Sequence, residues 1–498
     1  MSELRKKTII GAGWMVGMRM AVNLLGFITT AIMARLLTPG DYGVVALAGS
    51  AYAFFALLGQ FGFDSALIHM QNPVKAHYDS AWTANILVGV AIAVTMFLIA
   101  KPISLFFNDP RIENVVYSFS ILSLAKGFEN IGVVNFRKTM QFRGDFLYFV
   151  IPKLTAVITG ISAAFVLRNY WALVIGMATA QLTTLVYSHV SQPLRPRLAL
   201  TKFKELFTYS RWILFNNFLQ YLAVNSIDII LGRIHNASAV GIYGIARQIA
   251  YLPTTELMAP LNRAMFPSFS SIAQDTERVR NVFGKTLSMI TLFSIPAAFG
   301  IMVLSESIIE VLLGPKWSAA SPVLAVLCVV GILQSLASLI FPLLQARGKP
   351  QTTTRLMLYL VVMLLPSITI GAMYQGAIGV AIGVMTSYIL LNPIQLLALR
   401  NEIQFEIKRV LYCVWRPFLS SCAMVYLVHS LEGLYFADTS PTLPTLLLLI
   451  LSGMLVYGVT ILSLWFVSGK PAGAEQEILE LLFSKATTFF RSRKSSSS

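Results

Sequence analysis

Residues 13–27 read GWMVGMRMAVNLLGF. The run is as apolar as a membrane helix, yet it contains Arg19. Arg19 lies ten residues past Ile9, where the apolar run begins. At about 1.5 Å of rise per residue this places it about 15 Å deep, near the middle of a bilayer. Apolar runs of similar length recur as far as Val467. They are continuous rather than alternating, so the spanning segments are helices and not barrel strands. Composition agrees: 56% of the 498 residues are hydrophobic, 12% are charged, and the mean hydropathy is +0.70. Soluble domains carry about 25% charged residues. The expectation is an all-α, polytopic membrane protein.

Fourteen spans are expected, at 9–34, 43–68, 81–100, 115–136, 146–167, 170–190, 210–232, 240–270, 283–304, 320–344, 355–374, 377–399, 411–431 and 443–467. The first is expected to stay uncleaved, because no small-residue cleavage site interrupts it. With the N-terminus inside, 24 Lys and Arg fall on inner segments. They include Arg5, Lys6, Lys7, Arg137, Lys138, Arg143, Arg195, Arg197, Arg347 and Lys349. The outer loops carry six: Arg35, Lys101, Arg111, Arg168, Arg233 and Lys316. This asymmetry puts both termini in the cytoplasm. It also accounts for the net charge of +16 through loops touching anionic lipid, with no nucleic-acid partner. Cys328, Cys413 and Cys422 lie in apolar runs and form neither a disulfide framework nor a metal spacing.

The chain repeats itself at an offset of 198. ARLLTPGDYGVVALA (34–48) lies over GRIHNASAVGIYGIA (232–246), aligning Arg35 with Arg233 and Gly43 with Gly241. Trp14 aligns with Trp212, whereas Arg19 aligns with Asn217. At slightly longer offsets, QFRGD (141–145) lies over QARGK (345–349), and IGMATA (175–180) over IGVMTS (382–387). The implied organisation is a six-helix lobe over 1–190, an inter-lobe linker over 191–208, and a second six-helix lobe over 209–400. Two more helices occupy 401–468, and an interfacial helix with a disordered tail occupies 469–498. Six is even, so the lobes share one orientation about an axis along the membrane normal.

Ionisable groups at membrane depth must line a cavity or pair with one another. Arg19 shares a helix face with Asn23, Gly26 and Thr30. Asn217, Tyr221, Asn225 and Asp228 form a matching stripe on span 7. Lys126 and Glu129 stand three residues apart and can neutralise each other. Lys153 has no carboxylate within four residues on its own helix. Arg247 and Arg263 lie 16 residues apart on span 8. The expected substrate-contacting set is therefore Arg19, Asn23, Lys126, Lys153, Asn217, Arg247 and Arg263. Asp64, Glu129, Asp228 and Glu256 are the candidates for coupling to H⁺ or Na⁺. Pro253, Pro260 and Pro267 each remove a helix hydrogen bond from span 8, making it a candidate hinge. No metal site or other cofactor is expected. The sequence lacks a GxxxxGK phosphate loop and an HExxH motif, and its loops are too short for a soluble catalytic domain.

Together ARLLTPGDYGVVALA, its repeat GRIHNASAVGIYGIARQ, the loops LFFNDP (105–110) and LLGPKW (312–317), and NFRKTMQFRGD (135–145) carry a resemblance over nearly the whole chain. They resemble the polysaccharide transporters, the Wzx-type lipid-linked oligosaccharide flippases of the multidrug/oligosaccharidyl-lipid/polysaccharide exporter superfamily. The subgroup is similar to the colanic acid and teichuronic acid exporters. The resemblance implies two helical bundles with alternating access, a cationic cavity, a bacterial inner-membrane location and coupling to an ion gradient. The implied cargo is an undecaprenyl-diphosphate-linked oligosaccharide. The family's cavity arginines on spans 1 and 8 correspond to Arg19 and to Arg247 or Arg263. Membrane lipids, glycan-assembly proteins such as a polymerase, and a monomeric state belong to the same expectation. The alternatives are a multidrug or cation antiporter, a peptidoglycan-precursor flippase of the same superfamily, and a membrane glycosyltransferase or polymerase.

Overall fold

The computed structural model describes the backbone of residues 2–58, 63–70, 73–139, 141–435, 441–471 and 474–476. Within these, the side chains of 2–16, 19, 58, 64–65, 69, 204, 206–216, 255–264 and 434–435 are left out of the description. The chain forms two compact units. The first comprises Met1–Gly244, Leu312–Trp317 and Ile368–Val380; the second comprises Ile245–Val311, Ser318–Ser367 and Ala381–Ser498. The first unit is built from α1 (Ser2–Leu36), α2 (Pro39–Leu58), α3 (Phe63–His69), α4 (Lys75–Phe107), α5 (Arg111–Gly127), α6 (Val134–Lys138), α7 (Phe142–Leu167), α8 (Trp171–Ser191) and α9 (Phe203–Ile234). It also takes the start of α10 (Ala237–Ser271). The rest of α10 enters the second unit with α11 (Thr276–Val303), α12 (Ser305–Leu312) up to Val311, α13 (Ala320–Ala337), α14 (Ile340–Ala346), α15 (Pro350–Ile403) apart from its Ile368–Val380 stretch, α16 (Ile407–Tyr435) and α17 (Leu443–Val467). No strand occurs among the described residues. Nine helices there are long and apolar enough to cross a membrane, and a shorter apolar helix covers Met20–Leu36.

The expected spans fall on these helices, with four differences. Span 2, expected over 43–68, is divided between α2 and α3, with residues 59–62 outside the described set. Span 4 is not one helix: α5 stops at Gly127, and a 3₁₀ turn over Ile131–Val133 precedes α6. The cause is Asn130, whose side chain accepts the Gly132 N–H and donates to the Leu194 carbonyl. Its own N–H donates to the Ser188 hydroxyl. Span 10 breaks in the corresponding place, between α13 and α14. Spans 11 and 12 are joined in α15 by a tight reversal at Gln375 and Gly376. Gly376 has φ 59° and ψ −132°, a conformation that only glycine adopts readily.

In the first unit the two repeat motifs lock into each other. A Cβ at Gly43 would lie 1.6 Å from the Ala237 carbonyl oxygen, and one at Gly241 would lie 1.9 Å from that of Pro39. Ala237 is the repeat mate of Pro39 as Gly241 is of Gly43, so the two contacts are images of each other. Helix backbones come this close only over glycine. The LLGPKW loop seals the crossing. Trp317 is fully buried, donates from Nε1 to the Ala34 carbonyl at 2.8 Å, and meets the Tyr42 ring edge-on at 5.3 Å. Arg35 donates from Nε to the Leu312 carbonyl at 3.2 Å. Its repeat mate Arg233 lies over Phe106 of the LFFNDP loop, 5.5 Å from the ring centre. Buried Asp41 ties down the start of α2 by accepting from the Thr38 N–H and hydroxyl and from the Tyr170 N–H.

The stretch after α8 is strapped along α4 rather than free. Backbone N–H groups of Arg197, Ala199 and Lys202 donate to Asp79, Thr83 and Ser80. At the end of this strap Glu205 accepts from Lys202 and His77, which together hold its carboxyl below the ordinary range. In the second unit a cluster around Phe269, Phe283, Leu343, Leu399 and Phe405 forms the core. Arg280 donates to the Ile403 carbonyl and Arg347 to that of Glu402, closing the C-terminus of α15, where cations are favoured.

Two outcomes follow from this packing. Gly43→Ala and Gly241→Ala each lower the thermal midpoint of the purified protein, at a cost of about 1–3 kcal/mol or more for overpacking. Gly433→Ala, with nothing within 4 Å of the new methyl group, leaves it unchanged or raised. Trp317→Phe keeps a ring but strands the Ala34 carbonyl, costing about 1 kcal/mol in the same thermal melt.

Candidate substrate-binding site

The site is built on α1 and α7, which pack side by side in the first unit. Two different faces of α7 carry polar groups. Tyr148, Thr155 and Thr159 share one face and turn to α8. There Thr155 bonds Thr183 at 3.1 Å, and the Thr159 and Thr179 hydroxyls meet at 2.6 Å. Tyr148 donates to Glu129 at 3.0 Å, and Gln181 of α8 donates to the other oxygen of that carboxylate. Lys153 stands about 140° around the helix from Tyr148. It reaches α1 instead: its Nζ is 3.6 Å from where a Cβ would stand on Gly26. Gly26 is the small member of the Arg19, Asn23, Gly26, Thr30 stripe. It leaves room for the ammonium against the helix backbone.

Asn23 is half-buried one turn before Gly26, and Arg19 is one turn further along the same face. Among the described residues Lys153 has no carboxylate within ion-pair distance. Glu129 does not pair with Lys126; its two oxygens are taken by Tyr148 and Gln181. Lys126 sits exposed in the last turn of α5. Instead of the expected mutual neutralisation with Lys126, Glu129 accepts hydrogen bonds from Tyr148 and Gln181.

On α9 the expected polar stripe divides by role. Tyr221 donates to the Ser50 carbonyl of α2 at 3.1 Å and packs on Phe54, so it joins two helices. Asn225 donates to the Tyr221 carbonyl of its own helix. Asp228 is buried and Asn217 is half-buried. In the second unit Arg247 is half-buried on α10, one turn before Tyr251, which accepts from Gln334 of α13. Helix α10 runs unbroken through Pro253, Pro260 and Pro267. The side chains of Arg19, Asp64, Glu256, Pro260 and Arg263, the tryptophans Trp14 and Trp212, and residues 477–498 of the expected interfacial helix lie outside the described residues.

Sequence reasoning missed two polar features. Tyr148 and Gln181 hold the Glu129 carboxylate from helices distant in sequence, and no spacing along the chain signals that. Arg416 of α16 forms a buried ion pair with Glu475, Nη1 to Oε1 at 3.0 Å. A charge in the run 411–431 was the signal available, but its partner lies beyond the last span.

Comparison with known proteins places this architecture. The model of the polysaccharide biosynthesis protein family matches residues 32–322. The lipopolysaccharide biosynthesis protein WzxC of Escherichia coli K12 is 25% identical over 438 residues, 86% of this chain and 88% of WzxC. The teichuronic acid biosynthesis protein TuaB of Bacillus subtilis is 24% identical over 353 residues, 70% of this chain and 73% of TuaB. Among solved structures, the lipid II flippase MurJ in an inward closed conformation superposes with a TM-score of 0.73 at 15% identity. That match covers 90% of this chain and 98% of MurJ. An inward-facing multidrug resistance transporter of the MATE family gives 0.57 at 14% identity, over 77% and 94% of the two chains. The structures share the all-helical transporter fold, and with the family match over more than half of its length, this multi-pass membrane protein belongs to the polysaccharide biosynthesis protein family.

Proposed function

We propose that the protein is a transporter that moves an undecaprenyl-diphosphate-linked oligosaccharide from the cytoplasmic to the outer leaflet of a bacterial inner membrane. The observation that carries this is Lys153, an ammonium turned onto the Arg19–Asn23 face of α1 with no carboxylate beside it among the described residues. An uncompensated cation at this depth is costly unless an anion arrives to meet it. A diphosphate carries about two to three negative charges and accepts several charge-assisted hydrogen bonds, which suits an arginine and a lysine one to two turns apart. The names of relatives support the cargo class. They include a succinoglycan biosynthesis transport protein of Rhizobium meliloti and a probable low-salt glycan biosynthesis flippase of Haloferax volcanii.

In this reading the lobes 1–190 and 209–400 alternate access, with the spans from 401 to 468 as an addition and Arg247 and Arg263 as further candidate contacts for the cargo. Both termini face the cytoplasm in this reading, which the lysine and arginine asymmetry supports. Downhill movement of H⁺ or Na⁺ through Asp64, Asp228 or Glu256 supplies the driving force. The protein works as a monomer beside the enzymes that assemble and polymerise the glycan. Cation export is disfavoured by Glu129, whose two oxygens already accept from Tyr148 and Gln181.

Glycan export in a strain lacking the chromosomal gene tests the site. Lys153→Gln lowers export at least about tenfold, the loss of one charge-assisted bond, with membrane levels of the protein unchanged. Lys153→Arg retains most of the export. Arg19→Ala abolishes it. Gly26→Phe, which fills the space beside the Lys153 ammonium, blocks export as fully as removing the charge. Full export by both Lys153→Gln and Arg19→Ala rules the site out.

A further inference from the structure

Helix α13 is an interior helix of the second unit: from Val323 to Ala337 every residue is buried or half-buried, so lipid does not bathe it. The later part of α15 does face lipid, along the exposed Ile382, Ile389, Leu390 and Leu397. Tyr388, Asn392 and Gln395 stand on its other side, spaced four and three residues apart. They meet α13 and α10 there. Gln334 of α13 donates to the Tyr251 hydroxyl of α10 at 3.4 Å and also hydrogen-bonds Tyr388. Asn392 donates to the Leu333 carbonyl at 3.4 Å. One turn from Gln334, a Cβ on Gly331 would lie 3.6 Å from the Ala250 carbonyl oxygen, so α13 packs close on α10.

Other polar pairs of this unit join helices through bonds of ordinary length. Ser294 donates to Ser335 at 3.1 Å, and Thr291 to the Cys413 carbonyl at 3.0 Å. The bonds of Gln334 to Tyr251 and of Asn392 to Leu333 are longer than a well-made hydrogen bond, and they leave acceptors over. The Asn392 side-chain oxygen accepts from no described residue. Gln395 is 2% exposed and its side-chain oxygen has no partner. The stripe is therefore short of donors, and unmet acceptors away from water are costly. Tyr251, Gln334, Tyr388 and Asn392 are all half-buried, so each keeps accessible surface on a side that lipid does not reach. An ionised phosphate brings more acceptors to such a place; a sugar brings hydroxyl donors.

We propose that Tyr251, Gln334, Tyr388 and Asn392 bind sugar hydroxyls of the transported glycan, with the Asn392 side-chain oxygen accepting from one of them. The site rests on the transport reading for the identity of the cargo, and it assigns the sugar portion to the second unit.

Binding to the purified full-length protein in phosphatidylcholine nanodiscs tests this with two probes. One is the lipid-linked oligosaccharide extracted from a strain lacking the gene; the other is undecaprenyl diphosphate without sugar. The parent binds the oligosaccharide form at least about tenfold more tightly, the yield of two or more added hydrogen bonds. Tyr388→Phe and Asn392→Leu each cut that preference about three- to tenfold and leave binding of the bare lipid unchanged. Lys153→Gln weakens both lipids alike. Ser335→Ala, which removes only a bond between helices, lowers the thermal midpoint and leaves the preference intact. Where Asn392→Leu does not fold, Tyr388→Phe, which keeps the ring, decides. A preference that these two variants leave untouched overturns the proposal, as does equal binding of both lipids by the parent. If Lys153→Gln still weakens binding, either result leaves the transport reading standing. Binding of neither lipid sinks that reading and this site with it.

Discussion

The price of an ionised group in hydrocarbon governs this protein. Water is absent there, so each charge must be met by another group of the protein or by something that enters. The structure shows three ways of meeting that demand. Glu129 is satisfied by neutral donors, Tyr148 and Gln181. Arg416 is met by Glu475 in charge but not in hydrogen bonds. Lys153 rests against the bare backbone of α1 at Gly26. Among the described residues no carboxylate stands beside Lys153, the cation of the proposed site.

The scaffold has its own constraint, which is close backbone approach. Gly43 and Gly241 let the starts of α2 and α10 cross at a distance that forbids any side chain. Around that crossing, each motif arginine meets a loop: Arg35 the LLGPKW stretch and Arg233 the LFFNDP stretch. The contacts are paired, as two copies of one motif facing each other demand. This explains why the motifs that carry the resemblance are loop and helix-start residues with no chemistry of their own. They hold the two repeat motifs together, while Arg19 against Asn217 is a charge by which the repeats differ.

The helices, their approximate bounds and the repeat were legible in the sequence, because long apolar runs and a fixed offset depend only on local composition. The break in span 4 was not, because Asn130 acts through Ser188 and Leu194, about 60 residues away. The facing of Lys153 was half legible: its lack of a carboxylate neighbour on α7 could be read, but its seat on Gly26 required knowing that α1 packs there. Pairing of Lys126 with Glu129 was the natural local expectation, and partners from α7 and α8 won because they reach the carboxylate from the packed side. The pairing of Arg416 was not legible either, since a charge near a span end usually reaches the interface alone.

In the proposed function a cationic face of α1 and α7 recognises the diphosphate of a lipid-linked glycan. Translocation in proteoliposomes tests it most directly, using one oligosaccharide carried on undecaprenyl diphosphate or on an uncharged polyprenyl anchor. The account predicts movement of the diphosphate form alone, strongly reduced when Lys153 is neutral. Equal movement of both forms, or movement of the diphosphate form indifferent to Lys153, contradicts it.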